Sequence, residues 1–597
     1  MEQITWREKF RYWFDNVMSR GPLATITLLF LASLGFITVI GLLVTAFGFA
    51  PKGEDGKPQG LADVVWGNLM RTLDSGTMGS DTGWGFRIFM LVVTLGGVFV
   101  VASLIGIISS AFDEKIEELK KGRSKVLESE HTLILGWNNQ IFSILNEICM
   151  ANESRNRPAI VVLSQTDKTE MEQAIRERVN AGKTRIICRN GNPMDLNDLE
   201  LGNFNAARSI VILASDDDEN PDSSIIKTTL ALTNHPKRRQ APFHIVAEIR
   251  HPDNLEAAHL VGKDEAHFIL AKDLISRITV QTCRQSGLSV VYTELLDFGG
   301  DEIYFSQQPD LKTYKEAQMS FQKSSVMGFT RDGVVQLNPP ADTALLPNDE
   351  LIVIAEDDSL IARTSPPSQL QISAIAAAAN PTQKPEKTLI LGYNATLSSI
   401  LYELDQYVAP NSQTLIVANT QTPEVQATNQ KITFEQRDPT NRAVLESLEP
   451  YLHNHIIVLS SDSESVQASD AHTLITLLHL RDIANKRGEQ ISIVSEMKDA
   501  RNRELAEVTK ADDFIVSDQL ISLMLSQIAE NKQLAQVFSY LFSKQGAEIY
   551  LRPAELYIKQ GQTVDFYTIL EAAKTWRDRH WLPHRTTRIR CQKRLWC

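Results

Sequence analysis

The sequence has few cysteines and lacks the short motifs that build zinc or redox sites. Its five cysteines are scattered along 597 residues, and none belongs to a Cys-x-x-Cys pair or a Cys/His cluster. An excess of positive charge is also missing, because the net charge is -13, and this argues against nucleic acid as a partner. No Ser/His/Asp, Cys/His or metal-hydrolase motif occurs at an interpretable spacing. We therefore expect that the protein is not an enzyme.

Long hydrophobic runs are absent after about residue 125, but two of them occur before it. Residues 21–51 and 88–112 contain no charged side chain, and each run exceeds the ~20 apolar residues that cross a bilayer as a helix. The first run is too long for the apolar part of a cleavable signal peptide. We predict two membrane spans, at residues 21–50 and 86–113.

A short amphipathic segment and a glycine-rich loop lie between the two spans. Residues 61–73 have the pattern of a helix, and residues 74–83 are rich in Gly, Asp and Thr. Irregular backbone at membrane depth is tolerated only where protein or a water-filled cavity satisfies it. Span, short helix, loop and span is the order of a tetrameric cation-channel pore. The sequence therefore predicts a pore domain at residues 21–113, with a pore helix at 61–73 and a filter loop at 74–83.

The filter loop lacks the Thr-Val-Gly-Tyr-Gly motif of potassium filters. Glycines and stacked backbone carbonyls could still form a filter, and two aspartates would each give a ring of four carboxylates that favours cations. The alternative interpretation is an extracellular turn. The predicted filter residues are Asp74, Ser75, Gly76, Thr77, Met78, Gly79 and Asp81.

The second span carries a glycine pair, Gly96-Gly97, in its middle. In a pore-lining helix such a pair permits bending at a gate, and the alternative is close approach of a neighbouring helix through small residues. Towards the cytoplasmic end of this span, Leu104, Ile108 and Phe112 are candidates for a hydrophobic inner constriction.

Basic residues gather before the first span and after the second, whereas Lys52 and Lys57 in the loop between the spans are balanced by Glu54, Asp55 and Asp63. By the positive-inside rule this places both chain termini in the cytoplasm of a multi-pass membrane protein. Residues 1–20 carry aromatic side chains on one helical face and predict a helix that contacts membrane lipid, with a solvent helix as the alternative. The basic residues are Arg7, Lys9, Arg11 and Arg20 before the first span, and Lys115, Lys120, Lys121, Arg123 and Lys125 after the second.

The remainder of the chain contains one unit written twice. Four matches in the same order at nearly constant offset indicate a duplication. We assign a linker to residues 114–130, the first unit to 131–361, a second linker to 362–386 and the second unit to 387–575. The matching segments are 133–148 with 389–404, 209–218 with 455–464, 245–250 with 493–498, and 268–276 with 514–522.

Each repeated unit alternates short β-branched runs with amphipathic stretches, which predicts a parallel, doubly wound α/β sheet. Gly136 follows the first predicted strand, where a Rossmann turn has its first glycine. The second and third glycines of the dinucleotide fingerprint are missing in both units. We therefore predict a Rossmann-like fold without a bound dinucleotide.

An acidic run follows the fourth predicted strand of the first unit, at Asp216, Asp217, Asp218 and Glu219. Oxygen ligands at this density suit Ca²⁺, and a solvated loop that caps the next helix is the alternative. Glu248 with Arg250, and Glu496 with Lys498, end another predicted strand in each unit, and we expect buried ion pairs there.

Residues 91–113, the run Lys-Gly-Arg-Ser-Lys-Val-Leu-Glu at 121–128, the run His-Thr-Leu-Ile-Leu-Gly-Trp at 131–137 and the two repeated units resemble the CASTOR/POLLUX family of cation channels. The resemblance extends to about residue 574. It implies a homotetramer whose eight RCK units form a cytosolic gating ring. It also implies permeation of K⁺ or Ca²⁺, with Ca²⁺ as a further candidate for the ring ligand, and a reduced form of the plant channels suited to a bacterial inner membrane.

Residues 576–597 depart from this pattern. They are rich in Arg and Trp without periodicity, and no counterpart of residues 347–354 occurs in the second unit. We interpret them as an atypical tail, with a basic lipid-binding tail as the alternative. The leading hypothesis for the whole chain is a tetrameric cation channel gated by a cytosolic RCK ring. The alternatives are a potassium-selective RCK-gated channel and a membrane-tethered ligand-sensing regulator that conducts nothing.

Overall fold

The computed structural model describes the chain with several gaps, and it divides into two compact units, Met1–Arg123 and Ser124–Cys597. We refer to them as the N-terminal unit and the C-terminal unit. The described residues are 5–18, 21–52, 58–74, 76, 81–120, 122–216, 218–365, 369–376, 384–420, 425–499, 501–502, 505, 513–542, 547–580 and 593–594.

The described part of the N-terminal unit contains four α-helices. Its helices are α1 (Trp6–Met18), α2 (Pro22–Ala46), α3 (Leu61–Leu73) and α4 (Trp84–Lys120). The two predicted spans are helices α2 and α4, and both are long and apolar enough to cross a membrane. Pro22 occupies the first turn of α2, where its missing N–H costs no hydrogen bond.

The C-terminal unit begins with a six-stranded parallel sheet in the order β3-β2-β1-β4-β5-β6. This is the order of a doubly wound Rossmann-like sheet, and the predicted fold is confirmed. The strands are short and apolar because helices cover both faces of the sheet. The elements are β1 (Thr132–Leu135), α5 (Ile141–Ala151), β2 (Ala159–Ser164), α6 (Lys168–Arg178), β3 (Arg185–Asn190), α7 (Leu196–Leu199), β4 (Ser209–Ile212), α8 (Pro221–Thr233), β5 (Ile245–Ile249), α9 (Leu255–Gly262) and β6 (Ala266–Leu270).

Two helices and a small lobe follow the first sheet. The lobe has a four-stranded antiparallel sheet in the order β7-β10-β8-β9. Its core is closed by aromatic side chains, among which Tyr314, Phe321 and Phe329 are buried. The elements are α10 (Ala271–Arg284), α11 (Leu288–Leu296), β7 (Glu302–Gln307), α12 (Tyr314–Gln318), β8 (Ser325–Arg331), β9 (Val334–Leu337) and β10 (Glu350–Ala355).

A second parallel sheet repeats the first, in the order β13-β12-β11-β14-β15-β16, which confirms the duplication. After it, the described residues form three helices, α16 to α18, and two short strands, β17 and β18, which pair in parallel. The elements are β11 (Lys387–Leu391), α13 (Leu397–Tyr407), β12 (Ser412–Ala418), β13 (Gln430–Gln436), α14 (Arg442–Ser447), β14 (His455–Val458), α15 (Val466–Arg487), β15 (Ile493–Met497), β16 (Asp513–Val516), α16 (Ser517–Glu530), α17 (Leu534–Leu541), β17 (Ala547–Glu548), α18 (Phe566–His580) and β18 (Lys593–Arg594).

Helices α10 and α16 are exchanged between the two α/β domains. Helix α10 follows the first sheet but packs on α13 and on strands β14 to β16 of the second, whereas α16 follows the second sheet and packs on α5, β4 and β5 of the first. Both helices are therefore buried on nearly all sides. A single apolar core runs from Ile134 of the first sheet to Ile390 of the second, so the two domains fold as one body.

Gly136 and Gly392 end the first strand of each sheet with a left-handed backbone, at φ values of 106° and 98°. A Cβ atom on Gly136 would lie 1.9 Å from the carbonyl oxygen of Leu213, and on Gly392 it would lie 2.6 Å from that of Leu459. Only glycine fits such a close backbone approach. The sequence-based assignment of Gly136 to a Rossmann-type turn is confirmed by this geometry.

Replacement of Gly136 by Ala should therefore prevent stable folding of the C-terminal unit, because both the backbone conformation and the space exclude a side chain. The matched control is G333A, since Gly333 has φ 77° and open space around it, so that only the ~1–2 kcal/mol of left-handed strain remains. Thermal melting of the two purified full-length variants in detergent measures the difference. Equal melting temperatures would contradict the proposed clash.

Candidate ion pathway and ligand clefts

The short helix α3 is seated between the two long helices of the N-terminal unit. A Cβ on Gly41 of α2 would lie 2.8 Å from the side chain of Val65, and a Cβ on Gly97 of α4 would lie 2.7 Å from the Cα atom of Thr72. The Nδ2 of Asn68 donates to the carbonyl oxygen of Ile37 at 3.3 Å. Glycines thus let the α3 backbone approach both long helices closely, and a buried amide fixes its depth.

The loop after α3 is closed by a buried ion pair that the sequence analysis missed. Two guanidinium nitrogens of Arg71 contact the two carboxylate oxygens of Asp81, at 2.5 Å and 2.6 Å. Both side chains are only 8% exposed, and Arg87 Nε donates to the backbone oxygen of Asp81 at 3.0 Å. The only signal in the sequence was a single arginine in an otherwise nearly uncharged helix, ten residues before an aspartate.

The predicted filter residues fall partly within the described part of the loop. Asp74 is exposed at the end of α3, and its Oδ1 accepts a hydrogen bond from the N–H of Gly76 at 2.8 Å. Asp81 contributes its carboxylate to the pair with Arg71, so its charge is compensated within the chain. Ser75, Thr77, Met78 and Gly79 lie outside the described residues.

Helix α4 runs without interruption through Gly96 and Gly97. Gly97 contacts the backbone of α3, and a Cβ on Gly96 would lie 2.6 Å from the ring of Phe36 on α2. Both glycines therefore serve close helix packing in this conformation, which was the alternative to a hinge. Further along α4, Leu104 is half-buried, whereas Ile108 and Phe112 are exposed in the single chain.

The acidic run of the first α/β domain is held by hydrogen bonds within the chain. Asp216 Oδ2 accepts from the backbone N–H and the Nδ2 of Asn139, both at 3.0 Å. Asp218 accepts from the hydroxyl of Ser224 and the N–H of Asn220, and these bonds lower the pKa of Asp218. Glu219 is exposed, and Asp217 lies outside the described residues. Where the chain is described, no three Asp, Glu, His or Cys side chains converge to hold a metal ion.

The same contact recurs in the second domain, where Asp462 accepts from the N–H of Ala395 at 2.9 Å. Asn139 and Ala395 lie in the turn after the first strand, where a Rossmann fold offers backbone N–H groups to a pyrophosphate. In both domains a carboxylate of the protein takes one of these donors. This occupation agrees with the missing glycines of the fingerprint.

A glutamate lies near the end of the fifth strand of each domain, half-buried at Glu248 and buried at Glu496. We call these two residues the cleft glutamates, because Glu248 lines a small cavity beside Gln140. Glu248 Oε1 lies 3.7 Å from Arg250 Nε, so the two residues form the ion pair that the sequence analysis expected. Glu248 Oε2 also accepts a hydrogen bond from Gln140 Nε2 at 3.1 Å. Glu496 instead accepts from Asn394 at 2.5 Å and Ser517 at 2.7 Å. Its expected partner Lys498 contacts Asp462 at 3.3 Å instead, which corrects the prediction for the second domain.

Burial raises the pKa of both cleft glutamates, Glu248 and Glu496.

A buried carboxylate also anchors the loop that follows the fifth strand in each domain, and the sequence analysis missed this role. Asp222 accepts from the N–H groups of Arg250 and His251 and from Asn254. Asp470 accepts from the equivalent N–H groups after β15 and from Asn502.

Two family models match parts of the chain, and several solved structures have a similar fold. A family model described as Castor and Pollux, part of voltage-gated ion channel, matches residues 272–371. A second, described as calcium-activated potassium channel slowpoke-like RCK domain, matches residues 128–253. Among solved structures, the GsuK channel bound to NAD is similar at 16% identity and a TM-score of 0.44, covering 86% of this chain and 84% of that one. The human SLO3 gating ring is similar at 14% identity and a TM-score of 0.47, covering 69% and 85%.

Two curated relatives align over nearly the whole chain. The probable ion channel POLLUX of Arabidopsis thaliana is 30% identical over 621 residues, which cover 96% of this chain and 74% of the relative. The ion channel CASTOR of Lotus japonicus is 30% identical over 625 residues, covering 97% and 72%. The predicted resemblance is confirmed, and the chain belongs to the CASTOR/POLLUX family of membrane ion channels with RCK-type α/β domains.

Proposed function

We propose that four copies of this chain form a cation-conducting pore whose opening is controlled by a ring of eight RCK domains. The observation that carries this proposal is the seating of α3 between α2 and α4, with the following loop closed by the Arg71–Asp81 pair. A subunit with two membrane spans cannot enclose a pore alone. Four copies would bring the loops of residues 74–83 together around one axis, where they would form the filter.

Asp74 is our candidate for the charge that faces the ions. It is exposed in the single chain, and four copies would form a ring of carboxylates able to attract K⁺ or Ca²⁺. Asp81 has a different proposed role, because its carboxylate is bound to Arg71. A filter with one carboxylate ring in place of two relies more on backbone carbonyls of residues 75–79. This favours a potassium-selective channel as the second candidate function.

The proposed setting is a bacterial inner membrane with both chain termini in the cytoplasm and the filter loop outside. Helix α1 would lie on the lipid surface, and Leu104, Ile108 and Phe112 would narrow the inner end of the pore. We keep the predicted bounds for the pore domain (21–113), the gating linker (114–130), the RCK domains (131–361 and 387–575), the linker between them (362–386) and the tail (576–597). Gly96 and Gly97 would act as a gate hinge only if α4 leaves α3.

Ca²⁺ remains our candidate ligand of the ring, at Asp216, Asp217, Asp218 and Glu219. In the described conformation Asp216 and Asp218 are bound to Asn139 and Ser224. Binding of the ion there would therefore require these carboxylates to exchange their present partners for the ion. Such an exchange would move the loop that follows β4, and it offers a route from ligand to conformational change.

The Arg71–Asp81 pair should be needed for assembly rather than for ion choice. Substitution D81N leaves the buried Arg71 without its charged partner, and loss of one member of a buried pair costs about 3–5 kcal/mol. We expect a large loss of the four-chain particle, measured by native mass spectrometry in detergent. The control D63N removes an exposed carboxylate from the first turn of the same helix and should assemble normally. A D81N tetramer of normal yield with altered ion ratios would show instead that Asp81 faces the ions.

Substitution D74N should reduce conduction without reducing assembly. At ~8 Å spacing and an effective dielectric of about 20, each pair of carboxylates in the ring repels by roughly 2 kcal/mol, and entering cations offset this repulsion. Single-channel conductance should fall most at low salt, where screening is weakest, and bi-ionic recordings of K⁺ against Ca²⁺ should show a lower relative Ca²⁺ permeability. D63N is again the control. Unchanged conductance and ion ratio would favour the potassium-selective candidate.

A flexible Gly/Ser insertion after Lys121 should uncouple the RCK ring from the pore. Helix α4 has 37 residues, or ~55 Å of helix, and the chain after it is the sole covalent link to the ring. We expect conduction to persist while the response of open probability to cytosolic Ca²⁺ is lost. The same insertion after Gly333, in the exposed turn between β8 and β9, is the control. A preserved Ca²⁺ response would mean that the coupling runs through other contacts.

A further inference from the structure

The exchanged helices α10 and α16 occupy equivalent positions in the repeat but end in opposite charges. Each helix has fourteen residues, and their last residues are Arg284 and Glu530. Arg284 reaches across to Glu386, just before β11 of the second domain, at 2.9 Å. Glu530 reaches across to the first domain, where it contacts Arg208 at 2.6 Å and Arg155 at 2.9 Å. The two ends of the domain interface therefore carry ion pairs of reversed polarity.

These pairs are partly buried and well supported. The side chain of Glu530 is 9% exposed, and that of Arg208 is 18% exposed. Arg208 also donates to the hydroxyl of Thr132 at 3.1 Å, and Arg284 and Glu386 are 18% and 19% exposed. Salt screens such pairs much less than exposed ones, so a mismatch of charge at these positions carries a larger penalty.

Pairing of a domain with its own kind would bring like charges together. The strand register shows that Arg208 of the first domain corresponds to Asn454 of the second. Ser209, which follows Arg208, pairs with Thr132 of β1, and His455, which follows Asn454, pairs with Thr388 of β11. If two second domains paired, Glu530 would take the place of Arg284 beside Glu386. If two first domains paired, Arg284 would take the place of Glu530 beside Arg155 and Arg208.

We propose that Glu530 with Arg155 and Arg208, and Arg284 with Glu386, are the residues that specify pairing of the first α/β domain with the second and exclude pairing of identical domains. Apolar surface alone does not make this choice, since the two helices bury nearly the same set of equivalent positions. Like charges at an interface suppress the wrong partner by several kcal/mol in general, and specificity of this kind needs repulsion in the alternative state. The domain interface thus fits only a partner of complementary charge.

The first test compares charge reversals with their reciprocal rescues in the full chain. E530R and R284E should each lower the melting temperature in detergent, by at least ~4 °C. E530R/R208E and R284E/E386R should recover most of that loss. If a charge-reversal variant does not fold, the melting temperature of the milder variant E530Q is measured in its place and should also fall. The control E128Q removes a more exposed pair, in which Glu128 of the linker contacts Arg185 of the first domain at 2.7 Å, and it should shift the melting temperature by less than ~2 °C.

The second test asks which domains pair. A protease site inserted after Asn380, in the linker, allows the chain to be cut, and a C-terminal tag then captures the second domain together with its partner. In the wild-type protein, the non-covalent contacts between the two domains should retain the first domain on the tagged second domain after the linker is cut. In R284E/E530R each domain complements its own kind, so the captured amount of the first domain should fall at least about twofold.

Failure of the reciprocal swaps to restore melting, or full retention of the first domain by R284E/E530R, would overturn the proposal. Neither readout depends on conduction or on the number of chains in the channel. The result is therefore separable from the proposed channel function: a non-conducting protein could still pass both tests, and a conducting one could fail them.

Discussion

The burial of two exchanged helices between two parallel sheets is the constraint on which the C-terminal unit depends. Helices α10 and α16 bury side chains on almost every face, including those of Gln281 and Gln527, and a helix buried in this way must be covered all round. Each is covered partly by the sheet that precedes it and partly by the other domain. Neither domain could fold with its own helix left exposed, so the duplication produces one cooperative body rather than two independent domains.

This exchange also explains where the polar groups of the interface lie. Asp513 accepts from the N–H groups of Gly287 and Ser289, and Gln527 donates to the carbonyl of Leu296. Each bond joins elements on opposite sides of the interface, and a buried polar group without a partner would destabilise it. Hydrogen bonds and ion pairs at the ends of the exchanged helices therefore fix the register, while the apolar core between them supplies most of the stability.

In the N-terminal unit the corresponding constraint is the buried pair of Arg71 and Asp81. Both side chains are only 8% exposed, and acidic and basic side chains within membrane-spanning units are generally retained in pairs or beside water. Their pairing closes the loop after α3 and keeps it short. The side chain that the sequence analysis assigned to attracting ions, Asp81, is therefore the one that holds the loop through Arg71.

Much of the architecture followed from the amino-acid pattern alone. Two uncharged runs gave the spans, the matching segments gave the duplicated α/β domains, and Gly136 gave the first turn, because membrane thickness, strand periodicity and left-handed backbone each restrict which residues can occur. The family resemblance was likewise carried by local runs such as residues 121–128 and 131–137. These features are local in sequence, and local physics selects their residue types.

Other features were decided only by the tertiary structure. They join residues that are distant in sequence or separated by a turn. Examples are the pairing of Arg71 with Asp81 and the contact of Asp216 with Asn139. A third example is Glu496, which accepts from Asn394 and Ser517 and does not pair with Lys498. The exchange of α10 and α16 was also decided by the tertiary structure, since the sequence of a helix can indicate that it is buried but not which sheet covers it. Sequence periodicity reports the face that a residue occupies, whereas the partner on that face is set by how the whole chain packs.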